Sequence, residues 1–418
     1  MNEGGKSEDA ADRRFVRWRW TALVVAAGLA LGVWLGNDAD RWRLLGVPAM
    51  NLLFADTAAL LAAGEAHSAG IDPYRAPNYF DPGWRAHIYG PGWLVLGDLG
   101  LTVDDTPWLG ALVSCVFFAA VAAVFRPRSP GGAVFALLAL FSPPVLLGLN
   151  RANNDLIMVV MLLGAAWLAG RRERTAPAAA SVLLGAAALL KIYPLAAWPA
   201  LWALPGRGWR WARVLTPLAV AGVFAAWQWP VYAAALSQVP ADKTIYAYAA
   251  GYAAELALGG VRTLEVATWV GTLSGLLLLA RCARGCGRAW WELIPLRGPW
   301  AFIGAASACI WSFSLLVASN YPYRAVWLLP LVALAWRAAP DVRAGRRLAV
   351  LLVVFLWSGL PMGYLQWRVW AIGPEEQTAW WAASIGFAQC LVLVSLGVAL
   401  WLLTGWSWRM RRRLRAGE

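Results

Sequence analysis

Long apolar runs separated by short polar stretches set the pattern of this chain. Runs near residues 18–36, 107–125, 132–149, 155–170, 214–234, 264–281, 300–318, 325–338, 348–360 and 381–404 read as helices able to cross a hydrocarbon core of ~30 Å. A further stretch, 176–204, is interrupted by "LLKIYP", where Lys191 and Pro194 divide it into two shorter helices that turn back at one face. The pattern predicts an all-α, polytopic integral membrane protein, a bundle of about twelve membrane helices.

The arginines and lysines orient it. With both termini in the cytoplasm, 26 of the 36 Lys and Arg residues fall in the two tails and the inside loops. That satisfies the preference of cytoplasmic loops for positive charge. Residues 44–63 are apolar enough to pass for another span, but counting them as one would put most basic clusters outside. They are therefore expected as a helix along the outer surface, with Asp56 facing the wet side. The layout becomes a basic tail (1–17), a membrane domain (18–408) and a second basic tail (409–418). The run at 18–36 is a signal anchor, being too long for a signal peptide and lacking a clear cleavage site. The largest outer loop, 37–106, holds Asp38, Asp40, Asp56, Glu65, Asp72, Asp81, Asp98, Asp104 and Asp105.

Composition agrees: 60% of residues are hydrophobic and 14% charged, against about 25% charged in soluble domains. The net charge of +13 lies in short clusters between apolar runs, which excludes a nucleic-acid footprint. Five cysteines form no disulfide or zinc pattern, and two histidines, His67 and His87, are too few for a histidine-rich metal site. No phosphate-binding glycine loop is present, so neither a metal nor a cofactor is expected. Most of the 29 tryptophans suit interfacial anchoring at helix ends; Trp84, Trp93, Trp367 and Trp370 face outward, where a sugar or lipid could pack.

Five polar clusters fall at outer helix ends: Asp56 with "GIDPY" (70–74), "IYGPGW" (88–93), "RANND" (151–155), "LKIYP" (190–194) and "SNYPYR" (319–324). Each has a plain explanation. Asn154 or Asp155 could cap the following helix, and Lys191 or Arg324 could reach to the interface. Together, a carboxylate with two arginines and a lysine at one membrane face suits an anionic lipid headgroup, the cations holding phosphate and the acid moving a proton.

These motifs resemble the polyprenol-phosphate-mannose-dependent mannosyltransferases of glycosyltransferase family 87, in the GT-C superfamily. Asp56 stands fourteen residues before Gly70 of "GIDPY", and "GLNRANNDLIMVVMLLGAAWL" and "SVLLGAAALLKIYPLAAWPALW" match the later motifs. The likeness covers roughly residues 50–205, with "NYPYRAVWLLP" as a further anchor; "YGPG" replaces the usual Tyr-Pro-Pro. The resemblance implies an inverting transfer of a sugar, mannose by family default, from a polyprenyl-phosphate donor to a lipid or glycan acceptor outside the inner cell membrane. It implies Asp56 as general base, with Lys191, Arg151 and Arg324 on the leaving phosphate; partial burial, in turn, is expected to raise the Asp56 pKa. Asn153, Asn154, Asp155, Asp72, Tyr74 and Tyr193 would bind sugar or position the loop.

Two other classes fit the composition. A glycolipid transporter or flippase would line a pathway with charges, although these gather at one face and no inverted repeat is visible. A membrane acyltransferase would favour a histidine inside a helix, which neither His67 nor His87 supplies; a polysaccharide ligase is the remaining member of that class.

Overall fold

The computed structural model describes residues 4–47, 52–75, 77–169, 171, 176–203, 299–317, 322–338 and 343–357, with isolated helical positions between 219 and 233. Among the described residues every regular element is helical. The expected spans at 264–281 and 381–404, the tail at 409–418, Trp367 and Trp370, and the cysteines at 282, 286 and 390 lie outside the described residues.

Helix α1 (Gly4–Leu35) leads through the short α2 (Ala39–Leu44) and on to α3 (Ala55–Ser68). After a long irregular connection come a 3-10 turn (Pro91–Leu94), α4 (Val95–Asp98), α5 (Thr106–Phe125), α6 (Pro130–Leu140), α7 (Pro143–Arg151), α8 (Asn154–Ala169) and α9 (Ala176–Leu190). A 3-10 segment (Tyr193–Ala203) follows α9. Beyond the undescribed stretch, α10 (Pro299–Val317), a second 3-10 segment (Pro322–Leu328), α11 (Leu329–Ala338) and α12 (Arg343–Trp357) complete the described set.

Helices α5, α8, α9 and α10 pack around a core in which Phe117, Phe125, Leu156, Met158, Phe302 and Trp311 are almost wholly buried. Phe135 of α6 stacks on Trp336 of α11, with ring centroids 3.9 Å apart. Helix α1 crosses α5 at Gly28, where a β-carbon would meet the Phe118 ring at 2.3 Å. The outward faces of α1 and α5 stay apolar: Leu23, Leu29 and Val33 on one, and Trp108, Leu112 and Val116, four residues apart on one stripe, on the other.

The run Val103–Phe125 is long and apolar enough to cross a membrane, as expected for 107–125. The expected span at 132–149 is made of two helices, α6 and α7, bent by 59°, which together are apolar and long enough for one broken span or a re-entrant loop. Ser142, Pro143 and Pro144 account for the break, because proline supplies no N–H to the preceding turn and is at home in the first turn of a new helix. The 325–338 run likewise opens as a 3-10 segment and becomes α-helical at Leu329. The break expected at Lys191 is present.

Helix α3, expected along the outer membrane surface, is held within the protein: ten of its fourteen residues are buried, and it packs on α4, α5, α7 and the Pro91–Leu94 turn. Gly64 permits this, since a β-carbon there would stand 2.6 Å from the Gly97 nitrogen.

Candidate functional site

Phe54 and Ala152 both adopt left-handed backbone, at φ 63° and 40°, and the chain is pinned between them. The Phe54 N–H donates to the Asn150 carbonyl at 2.7 Å, and the Thr57 hydroxyl to the Ala152 carbonyl at 3.0 Å. Left-handed alanine ends α7, and Asn153 at once caps α8, its Oδ1 accepting the Asp155 N–H at 2.8 Å. This junction sets the start of α3 against the end of α7 and the start of α8.

Asp56 sits there, in the first turn of α3, and is 2% exposed. Arg151 grips both its oxygens, Nε to Oδ2 at 2.9 Å and Nη2 to Oδ1 at 2.6 Å. Asn153 Nδ2 donates to Oδ2 at 2.5 Å, and Arg85 Nη1 reaches Oδ1 at 3.5 Å. The carboxylate, expected partly buried and facing the wet side, is therefore corrected to one buried within the protein with both oxygens bonded. Its titration is corrected too. Burial pushes the Asp56 carboxyl up, but the Arg151 charge, the hydrogen bonds from Arg151 and Asn153, and the Arg85 charge together hold it below the ordinary carboxylate value.

A second pair lies beside the first. Lys191, just past α9, meets Asp155 Oδ1 at 2.9 Å and donates to Asn154 Oδ1 at 2.7 Å. Asp155, like Asp56, occupies the first turn of its helix, where the aligned N–H groups favour negative charge. Three tyrosine rings separate and line the cations: the Lys191 ammonium lies 5.2 Å from the Tyr89 ring and 5.4 Å from Tyr193. Arg324 lies 4.5 Å from Tyr193, and Arg151 lies 5.8 Å from Tyr323. Such contacts suit cations over the negative faces of aromatic rings.

Asp56, Arg151, Asn153, Asn154, Asp155, Lys191, Tyr193 and Arg324 are thus brought together. Asp72 and Tyr74 are not among them. Asp72 is exposed and closes its own turn, accepting the Tyr74 N–H at 3.0 Å and pairing with Arg75 at 3.3 Å. Tyr74 is buried edge-on against His87, 5.2 Å between centroids, and its hydroxyl reaches the Tyr89 carbonyl at 3.5 Å. Both position the loop. The loop is also fastened to α9: the Leu190 carbonyl accepts the Gly90 N–H at 3.2 Å and the Trp93 indole N–H at 3.0 Å.

Four site residues escaped the sequence reading: Asp81, Arg85, Tyr89 and Tyr323. Asp81 and Arg85 stand four apart in "DPGWR", a turn sequence whose charges look solvated, while Tyr89 and Tyr323 lie inside motifs singled out for other members. Burial raises the Tyr89 hydroxyl well above its usual pKa, and the nearby Asp56 charge adds to this, so it remains a neutral donor. Among the described residues no group of three His, Cys, Asp or Glu side chains could hold a metal ion.

His87 gives the loop a pH dependence. Burial lowers its pKa to about 4, although the Gly90 carbonyl, 3.2 Å from Nε2, favours the protonated form. The unfolded histidine binds its proton near pH 6.5 and the folded one only near 4, so stability is complete above 6.5 and falls as the pH drops through that window. Thermal unfolding between pH 7 and 4 is expected to lose about 3 kcal/mol to this group, and His87→Gln to flatten the slope. An unchanged slope in the variant would assign the loss to other groups.

No protein-family model, curated protein or solved structure matches this chain.

Proposed function

We propose that this chain is a multi-pass inner-membrane glycosyltransferase of the GT-C type, a bundle of about twelve membrane helices with both termini cytoplasmic. It transfers a sugar, mannose by the family resemblance, from a polyprenyl-phosphate donor to a lipid or glycan acceptor on the outer face. The observation that carries this reading is the meeting of Asp56, Arg151, Asn153, Lys191, Asp155 and Arg324 in one cluster, drawn from segments the sequence places at outer helix ends. The apolar outward stripes of α1 and α5 support a lipid setting.

The charge pattern suggests an order of events. Both Asp56 oxygens are occupied, and a carboxylate held below its usual pKa is a poor base. A donor phosphate competes for Arg151, and once Arg151 turns to it, Asp56 regains an open oxygen and a higher proton affinity. The acceptor hydroxyl then gives its proton to Asp56 as its oxygen attacks the anomeric carbon. The carbon–oxygen bond to phosphate breaks with both electrons on phosphate, whose charge Arg151, Lys191 and Arg324 stabilise. Donor binding thus precedes base activation.

A second reading has its own observation. Helices break at Phe141–Ser142 and at Lys191, and 3-10 segments flank the cluster, an arrangement also used by transporters that bind a polar group between broken helices. One assay separates the two: membranes carrying the wild type or Asp56→Asn at equal level, supplied with polyprenyl-phosphate linked to labelled mannose. The transferase reading expects product from the wild type and its loss by about 10²-fold or more in the variant. Equal activity makes Asp56 structural. No product from either, with movement of the lipid across a vesicle membrane, favours the transporter.

A further inference from the structure

Arg85 comes from an irregular loop, yet its guanidinium is held from three sides. Nε and Nη2 donate to the two oxygens of Asp81 at 2.8 and 2.9 Å. Nη2 also donates to the Ala55 carbonyl at 2.6 Å, and Nη1 stands 3.5 Å from Asp56. Asp81 is itself wholly buried and accepts the Arg85 backbone N–H at 2.8 Å, so side chain and turn are locked together. The turn is tight enough to hold Trp84 at φ 56°, a left-handed conformation that disfavours a bulky residue. A β-carbon on Gly83 would come within 3.0 Å of Arg85 Nε. This geometry is over-determined, and it grips both the backbone before Asp56 and its carboxylate.

We infer that Arg85 is a positioning residue for Asp56, the fixed counter-charge that stays on the carboxylate while Arg151 exchanges between it and the donor phosphate. The inference rests on the transferase reading. Its basis is the anchorage of Arg85, which is tied to Asp81 and the Ala55 carbonyl, groups with no part in the transfer, so that its hold on Asp56 does not depend on the donor. With Arg151 drawn away, Arg85 and Asn153 keep the carboxylate ionised and aimed, so the acceptor meets a charged base in place of a neutral acid. Other groups facing Asp56 are Tyr89 from the loop, Tyr323 from the 3-10 segment before α11, and Lys191 from the end of α9.

The test is the pH dependence of sugar transfer in wild type, Arg85→Met, Arg85→Lys and Asp81→Asn. Beside it runs the titration of the Asp56 carboxylate by infrared difference against Asp56→Asn, in purified protein without substrate. Removing the Arg85 charge is expected to move the acid limb up by roughly one pH unit, with donor KM nearly unchanged. Arg85→Lys restores the limb toward wild type. Asp81→Asn removes the charge that offsets Arg85 and moves the limb the other way, so it carries the test if Arg85→Met does not fold. An acid limb unmoved in Arg85→Met and Asp81→Asn alike overturns the inference. Should the wild type transfer no sugar at all, the transferase reading fails by itself. The infrared titration then decides for Arg85: an upward shift in Arg85→Met keeps its hold on Asp56, and no shift overturns it.

Discussion

Lys191→Met is expected to destabilise the protein by about 3–5 kcal/mol, among the largest effects of any single substitution at the site. The ammonium and the Asp155 carboxylate are both buried, with side chains 5% and 1% exposed, and they lie 2.9 Å apart. Lys191 is within ion-pair distance of Asp155. Removing it leaves a buried negative charge supported by the Arg324 charge and by the start of α8, where aligned N–H groups contribute about 0.3–1 kcal/mol. Asn154 also loses the donor on its Oδ1. Thermal unfolding of purified protein checks this, with the double variant Lys191→Met/Asp155→Leu as control. The double variant is expected to recover most of the loss, since a pair of apolar side chains replaces a buried ion pair at little cost. A single variant as stable as wild type would mean that water or another cation reaches Asp155.

Arg151→Met comes second, with an expected loss of about 2–4 kcal/mol. It strips two hydrogen bonds from Asp56, but the carboxylate keeps Asn153 at 2.5 Å and Arg85 at 3.5 Å, so less charge is stranded than at Asp155. The loss carries a signature that the Lys191 variant lacks. Without Arg151 the burial of Asp56 is no longer outweighed, and its pKa rises. In the wild type this carboxylate's stabilisation is present above the unfolded carboxylate pKa near 3.9 and is lost only as the pH falls below it. In Arg151→Met that protection is gone, and the variant is expected to gain stability relative to wild type as the pH is lowered and Asp56 takes up a proton. Denaturation midpoints at pH 7 and pH 4 measure the difference. A gap that stays constant between them would separate the loss from the Asp56 charge.

The sequence exposed the members of the site more readily than their pairing. Asp56, Arg151, Asn153 and Lys191 stand out because each interrupts an apolar run, and a charge in such a run needs a reason. Which cation meets which acid is a matter of three-dimensional register, and linear order carries no sign of it. The embrace of Asp56 by Arg151 thus went unread, and Asp56 read as wet although four donors surround it. Arg85 and Asp81 were invisible for the opposite reason: in a loop of mixed polarity two charges raise no question. The bend between α6 and α7 did leave a trace, the paired prolines at 143 and 144, which average hydropathy over 132–149 conceals. The helix at Thr106–Phe125 and the break at Lys191 were legible because length, apolarity and a proline two or three residues on are local signals.

The distances along the chain within this site bear on how the protein is made. Asp56 precedes its partners Arg151 and Asn153 by 95 and 97 residues, and Trp93 precedes the Leu190 carbonyl by 97. Synthesis at about 5–20 residues per second therefore delivers the carboxylate several seconds before the arginine that neutralises it. Through that interval α3 cannot hold its native burial, because a dry, unpartnered carboxylate is the state the finished fold avoids. The start of α3 waits in water until Arg151 emerges, Lys191 then reaches Asp155, and Tyr323 and Arg324 complete the site later still.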